Sequence, residues 1–182
     1  GGRLKKILWV LIPIGMLFFL TACHFEPEET YRISNLIEMR IQPYTRTEFK
    51  MTTPATVLNK EDIKDGAPLL YGTIYEAVYA LRDKREIKLI AGSTDANRIA
   101  DELWRYYRKE DAPPFWTWVN YIPFFYGSYE TEGATKFAMA WFSKKWIFRI
   151  VGPDEETVQD FYKKMIAFIE KEEIFNGSIR EI

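Results

Sequence analysis

Cys23 and His24 are adjacent, and each is the only residue of its kind in the chain. A histidine–carboxylate triad for nucleophilic catalysis would have to use His24. Here the pair follows directly on an apolar run and opens a polar stretch, a position that suits a tether better than a catalytic cleft. One cysteine excludes an internal disulfide and any multi-cysteine metal site. A histidine-ligated zinc would have to be assembled around His24. Carboxylates cluster at Asp101-Glu102, at Asp154-Glu155-Glu156 and at Glu170, Glu172 and Glu173. Paired carboxylates can divide general acid and general base work between them. These groups fall at expected helix starts and polar helix faces, where solvation and the helix dipole account for them. Gly92-Ser93, at a strand-to-helix junction, is an arrangement that can hold an anion, but a lone glycine is not a phosphate loop. Lys+Arg 25 balance Asp+Glu 26 without a basic stripe, so no nucleic-acid partner is expected. No catalytic residue, metal or cofactor is expected, and the chain reads as a binding or structural protein.

The residues in front of Cys23 bear on where it works. Arg3, Lys5 and Lys6 precede "ILWVLIPIGMLFFL", Ile7 to Leu20, and Thr21-Ala22-Cys23 follows. A positive head, an apolar stretch and small residues are the three parts of a secretory signal peptide. The stretch is shorter than the roughly 20 residues that span a bilayer as a helix, and Pro13 and Gly15 interrupt it. "Leu20-Thr21-Ala22-Cys23" resembles the lipobox of bacterial lipoproteins. The resemblance covers residues 3 to 23. It implies that the Cys23 sulfur carries a diacylglycerol, that the chain is cut just before Cys23, and that the new amine is often acylated. Two or three acyl chains hold a protein firmly where one holds it marginally.

Three regions follow: a signal peptide over 1–22, a lipidated tether over 23–32, and a single extracytoplasmic domain over 33–182. The basic residues favour the cytoplasmic side, so the body faces the periplasm or the cell exterior. An uncleaved single-span helix is the alternative anchor, with the same orientation. Cleavage before Cys23 removes Arg3, Lys5 and Lys6, leaving Lys+Arg 22 against Asp+Glu 26 and a charge of −4.

In the body, Ile37, Met39 and Ile41 alternate with Glu38, Arg40 and Gln42, which predicts a half-buried strand ending at Pro43. Residues 45–66 give no clear assignment, although "NKEDIKD" suits a short helix. Beyond them an internal repeat is visible. "TIYEAVYAL-RDKR-EIKLIAG" leads into "STDANRIADELWRYYRK", and "TKFAMAWF-SKK-WIFRIVG" leads into "PDEETVQDFYKKMIAFIEK". Each unit reads as two strands and an amphipathic helix. Ser93, Thr94 or Asp95 suits the start of the first helix; Pro153 and Asp154 suit the second. Ala96, Ile99, Leu103 and Tyr107 share one helical face, as do Val158, Phe161, Met165 and Phe168. The fold class expected is α+β: an antiparallel sheet of five or more strands with two helices packed on it, as a sandwich or a ferredoxin-like arrangement.

Between the units lies "APPFWTWVNYIPFFYGSY". Phe115, Trp116, Trp118, Tyr121, Phe124 and Phe125 crowd it, and Pro113, Pro114, Pro123 and Gly127 bar a regular helix. Some of these rings could cover a sheet face. As exposed residues they suit a protein interface, where Trp and Tyr are enriched, or lipid headgroups, where they also gather. The function expected is a membrane-anchored, non-catalytic accessory or structural subunit of a membrane-bound complex. The alternative is a solitary lipoprotein that binds a small apolar ligand.

Overall fold

Strands β6 (Phe137–Ser143) and β7 (Trp146–Gly152) carry the runs "FAMAWF" and "WIF", apolar on successive residues. Such runs belong to strands covered on both faces. The computed structural model describes residues 24–58, 71–111 and 117–180, and places these strands at the centre of one antiparallel sheet. The other strands are β1 (Thr45–Thr52), β2 (Gly72–Ala80), β3 (Glu86–Thr94), β4 (Thr117–Ile122) and β5 (Tyr126–Glu132). Among the described residues the sheet has seven strands in the order β1-β2-β3-β7-β6-β5-β4. Helix α1 (Pro54–Val57) is a single turn, and α2 (Asn97–Asp111) and α3 (Glu155–Arg180) are the long helices. The α+β class stands, and both β-β-α units form.

The two long helices do not share a face. Ile99, Leu103, Trp104 and Tyr107 of α2 pack with Ile74, Ile90, Ala140, Phe142 and Ile147. Val158, Phe161, Met165 and Ile169 of α3 pack with Tyr75, Leu89, Ala91, Trp141, Phe148 and Ile150. Successive strand residues point to opposite sides, so α2 and α3 sandwich the sheet. This corrects the ferredoxin-like expectation, in which helices gather on one face. Ile169 is buried on α3, while Phe168, expected inside, is only partly so. Asp154 Oδ1 accepts the Thr157 N–H at 2.8 Å and caps α3. Thr94 does not cap α2 by accepting; its hydroxyl donates to the carbonyls of Ala96 and Lys145.

The strand expected over Ile37 to Ile41 is replaced by a 3₁₀ turn, Ile33–Glu38, followed by irregular chain. Leu36 is buried from the turn, and Met39 and Ile41 from the irregular chain after it, so alternation here reflects burial without a ladder. The unassigned residues 45–52 form edge strand β1. The proposed helix at "NKEDIKD" lies outside the described residues. The linker expectation for 112–129 is also corrected over its described residues, 117–129, where β4 and the start of β5 form a hairpin with Pro123 in its turn. Proline is compatible with a turn or an edge strand because it cannot donate to a ladder. Gly127 has a specific reason: a Cβ there would stand 2.6 Å from Phe142 Cε1 and 3.1 Å from Trp104 Cε2. Its absence lets α2 seat Trp104 on β5.

Candidate functional site

The β4–β5 hairpin holds four of the six aromatic residues singled out by sequence; Phe115, Trp116 and Cys23 lie outside the described residues. Strand β4 alternates. Val119 and Tyr121 point toward α2, where Tyr121 stacks on Trp104 at 5.2 Å with an interplanar angle of 8°. Trp118 lies on the opposite face and is 78% exposed. Ile122 is 47% exposed, and Phe124 and Phe125, in the turn, are each 55% exposed. The structure therefore divides the cluster into an anchored ring, an edge-strand tryptophan and an apolar tip.

Asp101 organises that tip. Sequence reasoning placed it on a solvated face, yet its side chain has no exposed surface. Its Oδ1 accepts Arg105 Nε at 2.7 Å, and its Oδ2 accepts the Tyr121 hydroxyl at 2.8 Å and the Phe124 backbone N–H at 2.7 Å. Burial first, then the Asp101 hydrogen bond, raises the pKa of the Tyr121 hydroxyl. Phe124 has φ +63°, a left-handed conformation that is unfavourable for a bulky side chain. The Asp101 contact helps offset that strain. On the other side of the turn, Phe125 O accepts the Lys144 N–H at 2.9 Å. Asp101 lies beside the buried arc of α2, next to Arg105 on its polar border, and it is Tyr121 and Phe124, folding back over the helix, that bury it.

The N-terminal stretch expected as a tether lies on the α3 side of the same sheet. His24 Nδ1 is 2.8 Å from the Tyr126 hydroxyl, and its ring stacks on Trp141 at 5.4 Å. Trp141 Nε1 donates to Phe25 O at 2.7 Å, Ser143 Oγ donates to Glu26, and the Glu28 N–H donates to Glu173 at 2.7 Å. Tyr126 directly follows Phe125, so the chain entering from Cys23 meets the body beside the aromatic tip.

A second buried carboxylate ends α2. Asp111 accepts Arg149 Nε at 2.7 Å and a second Arg149 nitrogen at 2.6 Å, Lys136 Nζ at 2.8 Å, and the Tyr129 hydroxyl. Burial pushes this carboxyl up, but the hydrogen bonds and charge of Arg149, with Lys136 and Tyr129, outweigh it and hold the pKa below the usual carboxylate value. Burial likewise raises the Tyr129 hydroxyl, with the Asp111 charge adding to it. A shallow cleft of about 410 Å³, lined by Glu86, Lys88, Lys136 and Arg149 among others, opens beside the network. Both Asp111 oxygens are engaged by donors, so this carboxylate is built to join helix to sheet and is poorly placed to accept a substrate proton. Among the described residues no group of three or more His, Cys, Asp or Glu side chains could hold a metal ion. No described helix is long and apolar enough to cross a membrane.

No protein-family model matches the chain, and no curated protein matches it. A solved structure of a GTP binding regulator from Thermotoga maritima is similar at 20% identity, over 76% of this chain and 87% of that one, with a TM-score of 0.49. A likeness at that level carries no argument about what this chain binds.

Proposed function

We propose that this chain is a lipoprotein anchored through Cys23 outside the cytoplasmic membrane, and that it serves as a non-catalytic accessory subunit of a membrane-bound complex. The observation that carries the reading is the contrast between the two edges of the sheet. Edge strand β1, "TRTEFKMT", carries Arg46, Glu48 and Lys50 and a register irregularity between Arg46 and Glu48. Charges and bulges are devices that keep an edge from pairing with another chain. Edge strand β4, "TWVNYI", has no charged residue and no register shift, and it exposes Trp118. An unguarded edge beside a large aromatic ring suits strand addition by a protein partner, with Trp118 as the anchoring side chain. The clefts among the described residues lie away from β4: one, across β1, β2 and β3, mixes Phe49, Val78, Leu89 and Ile90 with Glu48, Lys50, Glu76 and Lys88, and the other is lined by Glu86, Lys88, Lys136 and Arg149 among others; both are open to solvent.

The test is purification from native membranes in mild detergent. Wild-type protein should travel with a membrane protein, and its intact mass should equal residues 23–182 plus acyl groups. Trp118→Lys should release it from that partner while stability changes by no more than about 0.5 kcal/mol, as for an exposed site. A wild-type chain that migrates alone sinks the subunit reading. A mass that retains Arg3 sinks the lipoprotein reading.

A further inference from the structure

The end of the sheet that carries the aromatic tip has a composition of its own. The β4–β5 turn brings Ile122, Phe124 and Phe125 to this end. The β6–β7 turn, tied to it through Lys144 N–H and Phe125 O, adds the exposed Lys144 and Lys145. Thr94, at the end of β3, donates its N–H to Lys145 O, and Asp95 donates its N–H to Tyr71 O at the start of β2. Tyr71 is 54% exposed. It stands four strands from β5, about 19 Å at the usual strand spacing. One end of the body thus presents apolar and aromatic groups on both sides of a pair of lysines.

His24 fixes the direction of this end. Its hydrogen bond to Tyr126 and its stacking on Trp141 leave no free spacer between Cys23 and the sheet. An acyl anchor one peptide bond away would hold the neighbouring tip at the membrane surface. From this we infer that the lipid surface is the occupant of the tip, with Phe124 and Phe125 seated in the headgroup layer. The inference rests on the anchored reading for its geometry. The Asp101 contact and the left-handed Phe124 backbone hold the turn in one shape before it meets lipid. Tyrosine gathers at this depth, and lysine extends its charge toward phosphates. Glu26, 3.5 Å from Lys144 Nζ, and Asp95 offset part of the positive charge. The mature chain is acidic overall, so the apolar rings carry most of the docking and salt should weaken it little. Trp118 stands about 13 Å back along β4, beyond the layer that the tip enters.

The experiment uses full-length protein purified from membranes and reconstituted into phosphatidylcholine–phosphatidylglycerol vesicles. An environment-sensitive fluorophore is placed at Phe124→Cys, at Phe125→Cys, or at Arg82→Cys in the β2–β3 turn, about 30 Å away along the strands. Lipids carrying a quencher near the headgroup should quench either tip label several-fold more than the Arg82 label. Phe125→Cys keeps the test usable if substitution at the left-handed Phe124 disturbs folding. Tip labels quenched no more than the Arg82 label, on protein whose mass shows acylated Cys23, overturn the inference and leave the anchor intact. Quenched tip labels on protein lacking acyl groups support lipid seating and sink the anchor instead. Tip labels shielded only in the co-purified complex, and not in vesicles, assign the tip to a protein and overturn the inference.

Discussion

The Oδ2 of Asp101 accepts the backbone N–H of Phe124 at 2.7 Å, linking a buried helix carboxylate to the tip of a hairpin 23 residues further on. Tyr121 donates its hydroxyl to the same oxygen and stacks on Trp104, so ring and turn are fixed from one point on α2. Asp101→Ala would remove the charged acceptor shared by three partly buried donors and cost about 1–3 kcal/mol. Asp101→Asn keeps one acceptor but turns an amide toward the remaining donors, so it should recover only part of that loss. Urea unfolding of the two variants measures both. An unchanged midpoint for Asp101→Ala would mean that the residue is solvated, as its sequence neighbourhood suggested.

Asp111 should make stability depend on acid. Its folded-state pKa lies below the unfolded value of about 3.9. The stability it contributes is therefore fully present above that value and is lost as pH falls through the folded pKa. Asp111→Asn leaves the Arg149 guanidinium buried with its principal anion gone and should cost about 3–5 kcal/mol at neutral pH. That gap should narrow below about pH 4, where the unfolded wild-type chain takes up the proton that the folded carboxyl still resists. Urea midpoints from pH 7 to pH 3 provide the check. A gap that stays constant across the range removes Asp111 from the acid response.

The β-β-α units were legible because their hairpin turns are short and charged and their helices have clean apolar faces. The sidedness of the helices was not read, although "FAMAWF" held a signal for it: the run has no polar face to leave in solvent, so both of its faces needed cover. Strand β1 also had a signal, with Phe49 and Met51 alternating against Glu48 and Lys50, but an exposed edge strand buries too little to make its periodicity stand out. The 3₁₀ turn at Ile33–Glu38 was hidden because Met39 and Ile41 reach the core without pairing. Asp101 and Asp111 read as surface acids because their partners are distant in sequence. Tyr121 and Phe124 must fold back over α2, and Arg149 must arrive from β7, before either carboxylate can be buried.

The placement of α2 and α3 on opposite faces predicts how core defects combine. Leu103 is buried in the cluster on the α2 face and Phe161 in the cluster on the α3 face. Leu103→Ala and Phe161→Ala should each cost about 2–5 kcal/mol. The two clusters lie on opposite sides of the sheet, so the double variant should lose the sum to within about 0.5 kcal/mol. Thermal and urea unfolding of the three variants tests this. An unchanged stability for either single variant would mean that its helix face is misplaced, and strong non-additivity would mean that the clusters communicate through the sheet.

At the hairpin tip, stability and use are set against each other. Phe124 occupies a left-handed backbone conformation, φ +63°, with its ring more than half exposed. A non-glycine residue there is disfavoured by about 1–2 kcal/mol, whereas glycine adopts the conformation freely but loses about 0.5–1 kcal/mol more chain entropy on folding. Phe124→Gly retains the N–H that Asp101 binds and removes a ring that is only partly packed. Stability should therefore stay level or rise by up to about 1 kcal/mol. Vesicle contact should weaken in the same protein, because the ring meant for the headgroup layer is gone. A substitution that improves folding while impairing binding identifies a position kept strained for function. The measurements are the melting temperature and the headgroup quenching of a label at Phe125→Cys, made on one preparation, because the acyl anchor alone would keep the protein on vesicles. A clear fall in melting temperature would instead make the Phe124 ring part of the cover over α2, and the hairpin tip a structural cap.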